Sequence, residues 1–253
     1  IVVVLMSVLG GDGSGGLGGL GGLIPSGQQA VPANDLSDQC ATGADADTDE
    51  GCQIVAVVNS VQEYWSGSLE GYAPADTVLF SGQVSTGCGA ASSAVGPFYC
   101  PADRQVYIDL GFFADLESKF GAADSLFARS YVLAHEYGHH VQNLTGFMAK
   151  VGDDREGPES GAVRLELQAD CFAGVWANHA EATELIVDIS EADIRSGLEA
   201  AAAVGDDRIQ EKFQGTVNPE KWTHGSAAQR QEWFRIGYRT GDPDQCNTFE
   251  SDI

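Results

Sequence analysis

Two histidines and the glutamate beside the first carry the clearest chemical signal in this sequence. His135, Glu136 and His139 form an HExxH pattern. Residues four positions apart lie on one face of a helix, so both imidazoles can bind the same metal ion. Imidazole ligands at this spacing suit zinc, and the intervening glutamate can take a proton from a zinc-bound water. The pattern therefore predicts a zinc site with Glu136 as the general base.

A third ligand is expected from the next predicted helix. Catalytic zinc usually has three protein ligands and a water. Glu166 and Asp170 are four positions apart in an otherwise apolar segment, where a carboxylate needs a partner. If this helix packs antiparallel to the first, Glu166 can bind the metal and Asp170 can accept the ring N–H of a zinc-bound histidine. A solvated acidic stripe is the alternative. We expect one zinc ion per chain.

Helices dominate the elements that must position these residues. The spacing of apolar residues and the capping residues predict helices over 54–67, 112–120, 124–144, 160–180, 190–204 and 226–239. Short β-type runs predict strands over 77–80 and 106–110. The predicted fold class is therefore α+β, mostly helical, with a small β-sheet.

The N-terminal segment differs in composition from the rest of the chain. The apolar run over residues 1–9 is shorter than the roughly 20 residues that span a bilayer. A segment rich in glycine follows over residues 10–27, which is typical of a flexible linker. A buried strand is the alternative for the apolar run. We interpret residues 1–35 as the end of a membrane anchor plus a linker, and residues 36–253 as one domain.

The net charge narrows the choice of partners. The chain has 37 acidic and 13 basic residues, a formal net charge of −24. Such a charge repels nucleic acid and anionic lipid. We therefore expect no nucleic-acid partner, and contact with a membrane only through the N-terminal anchor.

Cysteine usage favours an oxidising compartment. The six cysteines include no CxxC pair, and an even number at wide spacing fits disulfides. Of the 15 pairings that six cysteines permit, sequence proximity favours Cys40–Cys52 and Cys88–Cys100, which leaves Cys171–Cys246. Together with the linker, these cysteines predict a domain that lies outside the cytoplasm and is anchored to the cell membrane.

Several stretches resemble known zinc enzymes. HExxH followed by ExxxD on the next helix resembles the gluzincin arrangement, and the segment Ala134–Asn143 is similar to the neutral zinc metallopeptidase family of bacteria. Further stretches of residues 54–250 are similar to that family: 88–89, 96–101, 106–110, 166–174, 224–226, 229–230 and 233–234. The resemblance implies a zincin-like metallopeptidase domain, zinc as cofactor and a peptide or protein substrate. It also implies an N-terminal membrane segment with a Gly-rich linker.

The expected reaction is hydrolysis of an amide by zinc-activated water, with Glu136 moving the proton. The rival functions are hydrolysis of another amide or ester by the same chemistry, and a non-catalytic surface binding domain with a structural zinc. The strand over 106–110 could be a sheet edge that pairs with an extended substrate. Tyr107 and Asp109 would then be substrate-binding residues.

A second catalytic residue is expected among the histidines. His140 is turned about 100° from His139 on the helix and is interpreted as a polar neighbour. His179 lies more than three helical turns beyond Glu166. His224 remains, just ahead of a helix start. We expect it to donate a hydrogen bond to the oxyanion; the alternative is that it only organises the entry to the helix.

Overall fold

The computed structural model describes residues 31–32, 40, 43–46, 49–109, 111–120, 125–186 and 188–253. The expected anchor and most of the linker lie outside these residues. No helix within the described ranges is long and apolar enough to cross a membrane.

The strands form a small mixed sheet and a separate hairpin. In chain order they are β1 (Val31–Pro32), β2 (Asp76–Phe80), β3 (Gln83–Thr86), β4 (Gly89–Ser92), β5 (Phe98–Cys100) and β6 (Gln105–Asp109). The sheet has the order β1-β2-β6-β5, and β3 pairs with β4. The β2–β6 pair is parallel, whereas β1–β2 and β5–β6 are antiparallel.

The expectation that residues 106–110 form a sheet edge is wrong. β6 is an internal strand, with Tyr107 paired to Val78 on one side and to Phe98 on the other. The hydroxyl of Tyr107 donates to Asp103 Oδ2 (2.7 Å), and its ring stacks on Phe98. Asp109 is buried and accepts the N–H of Gly111 at 3.1 Å. An internal strand has no free edge for an extended substrate, so the premise on which Tyr107 and Asp109 were expected to bind substrate does not hold.

Helices make up more than half of the described residues. They are α1 (Gly43–Ala46), α2 (Glu50–Ser68), α3 (Phe112–Asp115, continued by a π-helical turn over Leu116–Phe120), α4 (Leu126–Thr145), α5 (Gly161–His179), α6 (Glu191–Ala203), α7 (Asp206–Gln214) and α8 (Ala227–Thr240). With the small mixed sheet, they confirm the α+β, mostly helical fold class.

The ends of the main helices follow from their capping residues. Ser160 Oγ accepts the N–H of Val163 at the start of α5. Gly146, with φ +81°, ends α4 in the left-handed conformation that glycine adopts without strain. Ser190 and Ser226 each open a helix with a complete capping box. These local signals explain why the predicted helix bounds agree with the structure to within a few residues.

Helix α5 lies in the core and packs against both α4 and α8. The helices α4 and α5 approach closely at Gly138, where an added Cβ would lie 3.1 Å from Ala169 Cα. The α5–α8 contact is closer still, because a Cβ on Gly174 would lie 2.1 Å from the carbonyl oxygen of Phe234. Glycine at these positions lets the backbones touch. The polar residues of the three helices are thereby brought together inside an apolar core.

Three disulfides confirm the predicted cysteine pairing. Cys40–Cys52 joins the N-terminal segment to α2, Cys88–Cys100 joins the β3–β4 hairpin to β5, and Cys171–Cys246 joins α5 to the C-terminal segment. The described cysteines include no free thiol.

Candidate metal centre

Two neighbouring helices bring three potential ligands to one point. One ligand atom from each of His135 and His139 on α4 and Glu166 on α5 lies within 4.8 Å of the others. His135 Nε2 is 3.2 Å from Glu166 Oε2, and His139 Nε2 is 3.4 Å from Glu166 Oε1. Ligands in a regular tetrahedron around zinc, with bonds of about 2.0–2.1 Å, lie about 3.3–3.4 Å apart. The two separations from Glu166 therefore fit a zinc ion that binds Glu166 together with the two histidines.

The hydrogen bonds of the two histidines also fit a metal. His135 Nδ1 lies 2.9 Å from Asp170 Oδ1, and His139 Nδ1 lies 2.8 Å from Gln142 Oε1. Acceptors at both Nδ1 atoms place the protons there and leave the Nε2 lone pairs for a metal. His139 Nε2 is buried and has no hydrogen-bond partner among the described residues. Such a group is costly unless something binds it.

The charges around the ligands keep the carboxylates ionised. Burial alone would raise the pKa of Glu166, but the charges of His139, His224 and His135 outweigh burial and hold that pKa well below its usual range. Burial also lowers the pKa of His135, but Asp170 and Glu166 outweigh it and raise the pKa to about 9. In the metal-free protein His135 therefore holds a proton that an incoming metal ion must displace.

A buried ion pair that the sequence did not reveal lies behind His135. Arg230 on α8 donates to both carboxylate oxygens of Asp170, from Nε at 2.8 Å and from Nη2 at 3.0 Å. Tyr131 OH donates to Asp170 Oδ1 at 2.6 Å. Burial raises the pKa of Asp170, but the charges of Arg230 and His135 outweigh it and leave the pKa below its usual range. Asp170 is thus an anion that orients His135.

Glu136 lines a small cavity beside the ligands. The cavity is lined by the following residues: Tyr131, Val132, His135, Glu136, Glu166, Val204 and Arg230. Glu136 is buried, and its Oε2 atom has no hydrogen-bond partner within the described ranges. Burial raises the pKa of Glu136, against the opposing charges of His139 and His135. A carboxylate oxygen thus lies next to the ligand set with its lone pairs available.

His224 lies on the loop before α8, and Asp206 holds this loop. Asp206 Oδ2, at the start of α7, accepts the backbone N–H groups of Thr223, His224 and Gly225 at 2.7, 2.6 and 3.1 Å. Asp206 Oδ1 lies 3.4 Å from His224 Nδ1. His224 is buried, and its charge contributes to the lowering of the Glu166 pKa. A helix that the sequence did not predict, α7, therefore holds the loop that carries His224.

Comparison with known proteins identifies the family. The sequence matches the family described as "Putative neutral zinc metallopeptidase" over residues 1–249. The chain belongs to this family. Among its relatives is protein Rv2575 of Mycobacterium tuberculosis, 53% identical over 228 residues that cover 87% of this chain and 78% of that protein. Protein YpfJ of Escherichia coli K12 is 43% identical over 215 residues, which cover 81% of this chain and 74% of YpfJ. Both are named as uncharacterized. No solved structure matches the chain.

The two remaining histidines of this metallopeptidase family member lie away from the ligand set. His140 Nδ1 bonds to Tyr99 OH at 3.0 Å, and Nε2 bonds to the carbonyl oxygen of Ala73 at 2.6 Å. His179 stacks on Tyr64. Of the five histidines, His135 and His139 thus lie against Glu166, and the charge of His224 acts on the pKa of Glu166.

Proposed function

We propose that this protein is a zinc-dependent metallopeptidase that hydrolyses peptide bonds in peptide or protein substrates. The observation that carries the proposal is a pair of buried atoms, His139 Nε2 and Glu136 Oε2. Neither atom has a hydrogen-bond partner among the described residues. His139 forms the ligand group with His135 and Glu166. One of these atoms has the chemistry of a metal ligand and the other that of a base. Membership of the metallopeptidase family supports the choice of peptides as substrates.

Glu136 is the proposed general base. A zinc ion held by His135, His139 and Glu166 would lower the pKa of its bound water to about 7 and polarise the substrate carbonyl. Glu136 takes the proton from the attacking water with its available carboxylate oxygen and passes it to the leaving amine. Burial favours this exchange because it raises the pKa of Glu136 above that of an ordinary glutamate.

The ligand set supports a catalytic rather than a structural role for the metal. The described residues supply a group of three ligands, His135, His139 and Glu166. Structural zinc sites are normally closed by four protein ligands, whereas catalytic sites keep one position for water. The arrangement therefore favours a hydrolase over a zinc-stabilised binding domain.

The proposed location is outside the cytoplasm, with the N-terminal segment as the membrane anchor. Three disulfides support it, since disulfides persist in oxidising compartments. The anchor itself rests on the sequence of residues 1–35 alone.

Metal analysis is the direct test of the proposed site. We expect about one zinc ion per chain in the purified protein and its loss in His135→Ala and His139→Ala, because each substitution removes one of three ligands. His179→Gln is the matched control and should retain the metal. Hydrolysis of a quenched peptide library, abolished by chelation and restored by zinc, would then establish the activity. A wild-type protein without zinc, or ligand variants that keep it, would contradict the proposal.

His224 is proposed as a catalytic donor to the oxyanion of the tetrahedral intermediate. Removal of one such donor typically lowers kcat by at least about a hundredfold, so His224→Ala should lose about that much. His224→Gln, which keeps a donor, should recover part of the loss. Zinc content and melting temperature should be measured alongside turnover. Normal turnover in His224→Ala, or a loss that follows the melting temperature, would assign His224 to the organisation of the loop instead.

A further inference from the structure

His139 is linked to the C-terminal segment through two buried glutamines. Its Nδ1 atom lies 2.8 Å from Gln142 Oε1. Gln142 Nε2 donates to the carbonyl oxygen of Leu165 at 2.7 Å and to Gln168 Oε1 at 3.1 Å. Gln168 Nε2 in turn donates to the carbonyl oxygen of Cys246 at 2.9 Å. We call the two side chains Gln142 and Gln168 the amide relay.

The direction of every hydrogen bond in the amide relay is determined by the two backbone carbonyls that it contacts. A backbone carbonyl can only accept, so the amide nitrogens of Gln142 and Gln168 must face Leu165 and Cys246 respectively. Each amide oxygen then faces the opposite way, and that of Gln142 faces His139. An oxygen acceptor requires the proton of His139 to be on Nδ1. The lone pair of His139 is thereby left on Nε2, the atom beside Glu166.

The amide relay is rigid because its surroundings are buried and tied to the backbone. Gln142 is 0% and Gln168 1% exposed, so water does not compete for their hydrogen bonds. Cys246 is bonded to Cys171, one residue beyond Asp170 on α5. The Cys246 carbonyl also accepts the N–H of Thr248 at 2.9 Å. The far end of the relay is therefore held by a covalent bond and a backbone turn.

The neutrality of the amide relay fits the charges of the site. His135 already has an anionic partner in Asp170, which Arg230 compensates. Glu136 and Glu166 add two more buried carboxyl groups. A carboxylate behind His139 would be another buried negative charge, which is costly without a partner. An amide provides the same acceptor oxygen without the charge.

We propose that Gln142 and Gln168 are positioning residues that set the metal-binding tautomer of His139 and anchor its ring to the disulfide-bonded C-terminal segment. The relay acts on His139 and touches no substrate. Its effect on metal binding rests on the zinc site of the proposed function, but the tautomer of His139 is a property of the metal-free protein.

The experiment compares metal-free wild-type protein with Gln142→Met, Gln168→Met and Asn143→Leu. Long-range ¹H–¹⁵N spectra of labelled imidazoles report the tautomer, with the His139 signals assigned by their loss in His139→Gln. Zinc affinity is measured by competition with a chromophoric chelator. Asn143→Leu is the matched control, because this neighbouring amide on α4 bonds to Tyr99 rather than to the relay.

We expect wild-type His139 to carry its proton on Nδ1. Gln142→Met should give a mixture of tautomers and lower the zinc affinity about 10–100-fold, the usual range for loss of a group that orients a ligand. Gln168→Met leaves the contact to His139 and the disulfide in place and should cause a smaller loss of affinity. Asn143→Leu should change neither readout.

Unchanged tautomer and affinity in Gln142→Met would overturn the proposal. If Gln142→Met does not fold, the test rests on Gln168→Met. A wild-type zinc affinity in that variant would show that the link to Cys246 has no effect on His139 and would overturn the proposal. Absence of zinc binding in the wild type would refute the proposed function, whereas a tautomer that still depends on Gln142 would support the relay on its own.

Discussion

Glu136→Gln is expected to retain zinc and the fold but to hydrolyse peptides about 10²–10⁴-fold more slowly, the usual contribution of a general base. The substitution keeps the shape of the side chain and removes its ability to accept a proton. Glu136 is not one of the three proposed zinc ligands, and its Oε2 atom has no hydrogen-bond partner among the described residues. The loss of its charge should therefore change neither zinc binding nor the fold.

The decisive measurement is kcat at equal zinc occupancy. Glu63→Gln, the same substitution at an exposed position of α2, is the matched control and should have wild-type turnover. Melting temperatures of the two variants should be close to that of the wild type. Turnover of Glu136→Gln within a few-fold of the wild type, with zinc bound, would move the base to another residue.

The sequence predicts those parts of the site whose residues lie on the same helix. His135, Glu136 and His139 share a face of α4 because the helical repeat places them there. Glu166 and Asp170 share a face of α5 for the same reason. The apolar neighbours of these carboxylates indicate burial, and burial implies partners. The caps at Ser160, Ser190 and Ser226 are equally local, which is why the helix starts could be predicted.

The parts that the sequence does not predict depend on contacts between distant segments. Arg230 reaches Asp170 across 60 positions, and Gln168 reaches Cys246 across 78. Neither contact has a spacing pattern, since any buried amide or guanidinium would look the same in the sequence. The internal position of β6 is unpredictable for a similar reason. Its run of apolar residues indicates burial but not which strands flank it.

Helix α7 was missed because its own pattern is mostly polar. Only Asp206 and Gln210 of this helix are buried, and both are polar. Asp206 is buried because three backbone N–H groups of the His224 loop converge on it. The signal that could have revealed α7 is the pair Asp206 and Asp207 directly after Gly205, which favours a helix N-terminus.

The Asp170–Arg230 pair leads to the second large expected effect. Arg230→Met should lower the free energy of unfolding by about 3–5 kcal/mol, because removing one partner leaves the other as an uncompensated buried charge. Arg230 and Asp170 are 2% and 0% exposed, so water cannot replace the lost partner. Denaturant unfolding of the metal-free protein measures the loss directly.

Arg235→Met is the matched control, on the same helix. The Arg235 side chain is partly exposed and lies 3.8 Å from Glu232, so its loss should cost less than about 1 kcal/mol. An equal and small effect of both substitutions would contradict the view that the Arg230 pair is a strong buried interaction.

The effect of pH on the Arg230→Met deficit follows from Asp170. Its pKa in the folded wild type lies below its usual range, chiefly because the Arg230 and His135 charges outweigh burial. The stabilisation from Asp170 is therefore fully present above the unfolded pKa of about 3.9 and is lost as the pH falls through the lower folded pKa. The deficit of Arg230→Met should be largest near neutral pH and shrink below about pH 4.

The double variant Asp170→Asn/Arg230→Met separates stability from metal binding. It contains neither buried charge, so it should regain most of the unfolding free energy that Arg230→Met loses, since neutral replacements of buried pairs are often tolerated. His135 would lose its anionic acceptor through Asp170→Asn, so the zinc affinity of the double variant should be about 10–100-fold below that of the wild type. Recovery of both the unfolding free energy and the zinc affinity would show that neither depends on the ion pair. Recovery of stability alone would show that the pair serves to orient His135 towards the metal, because an apolar contact could hold the helices together as well.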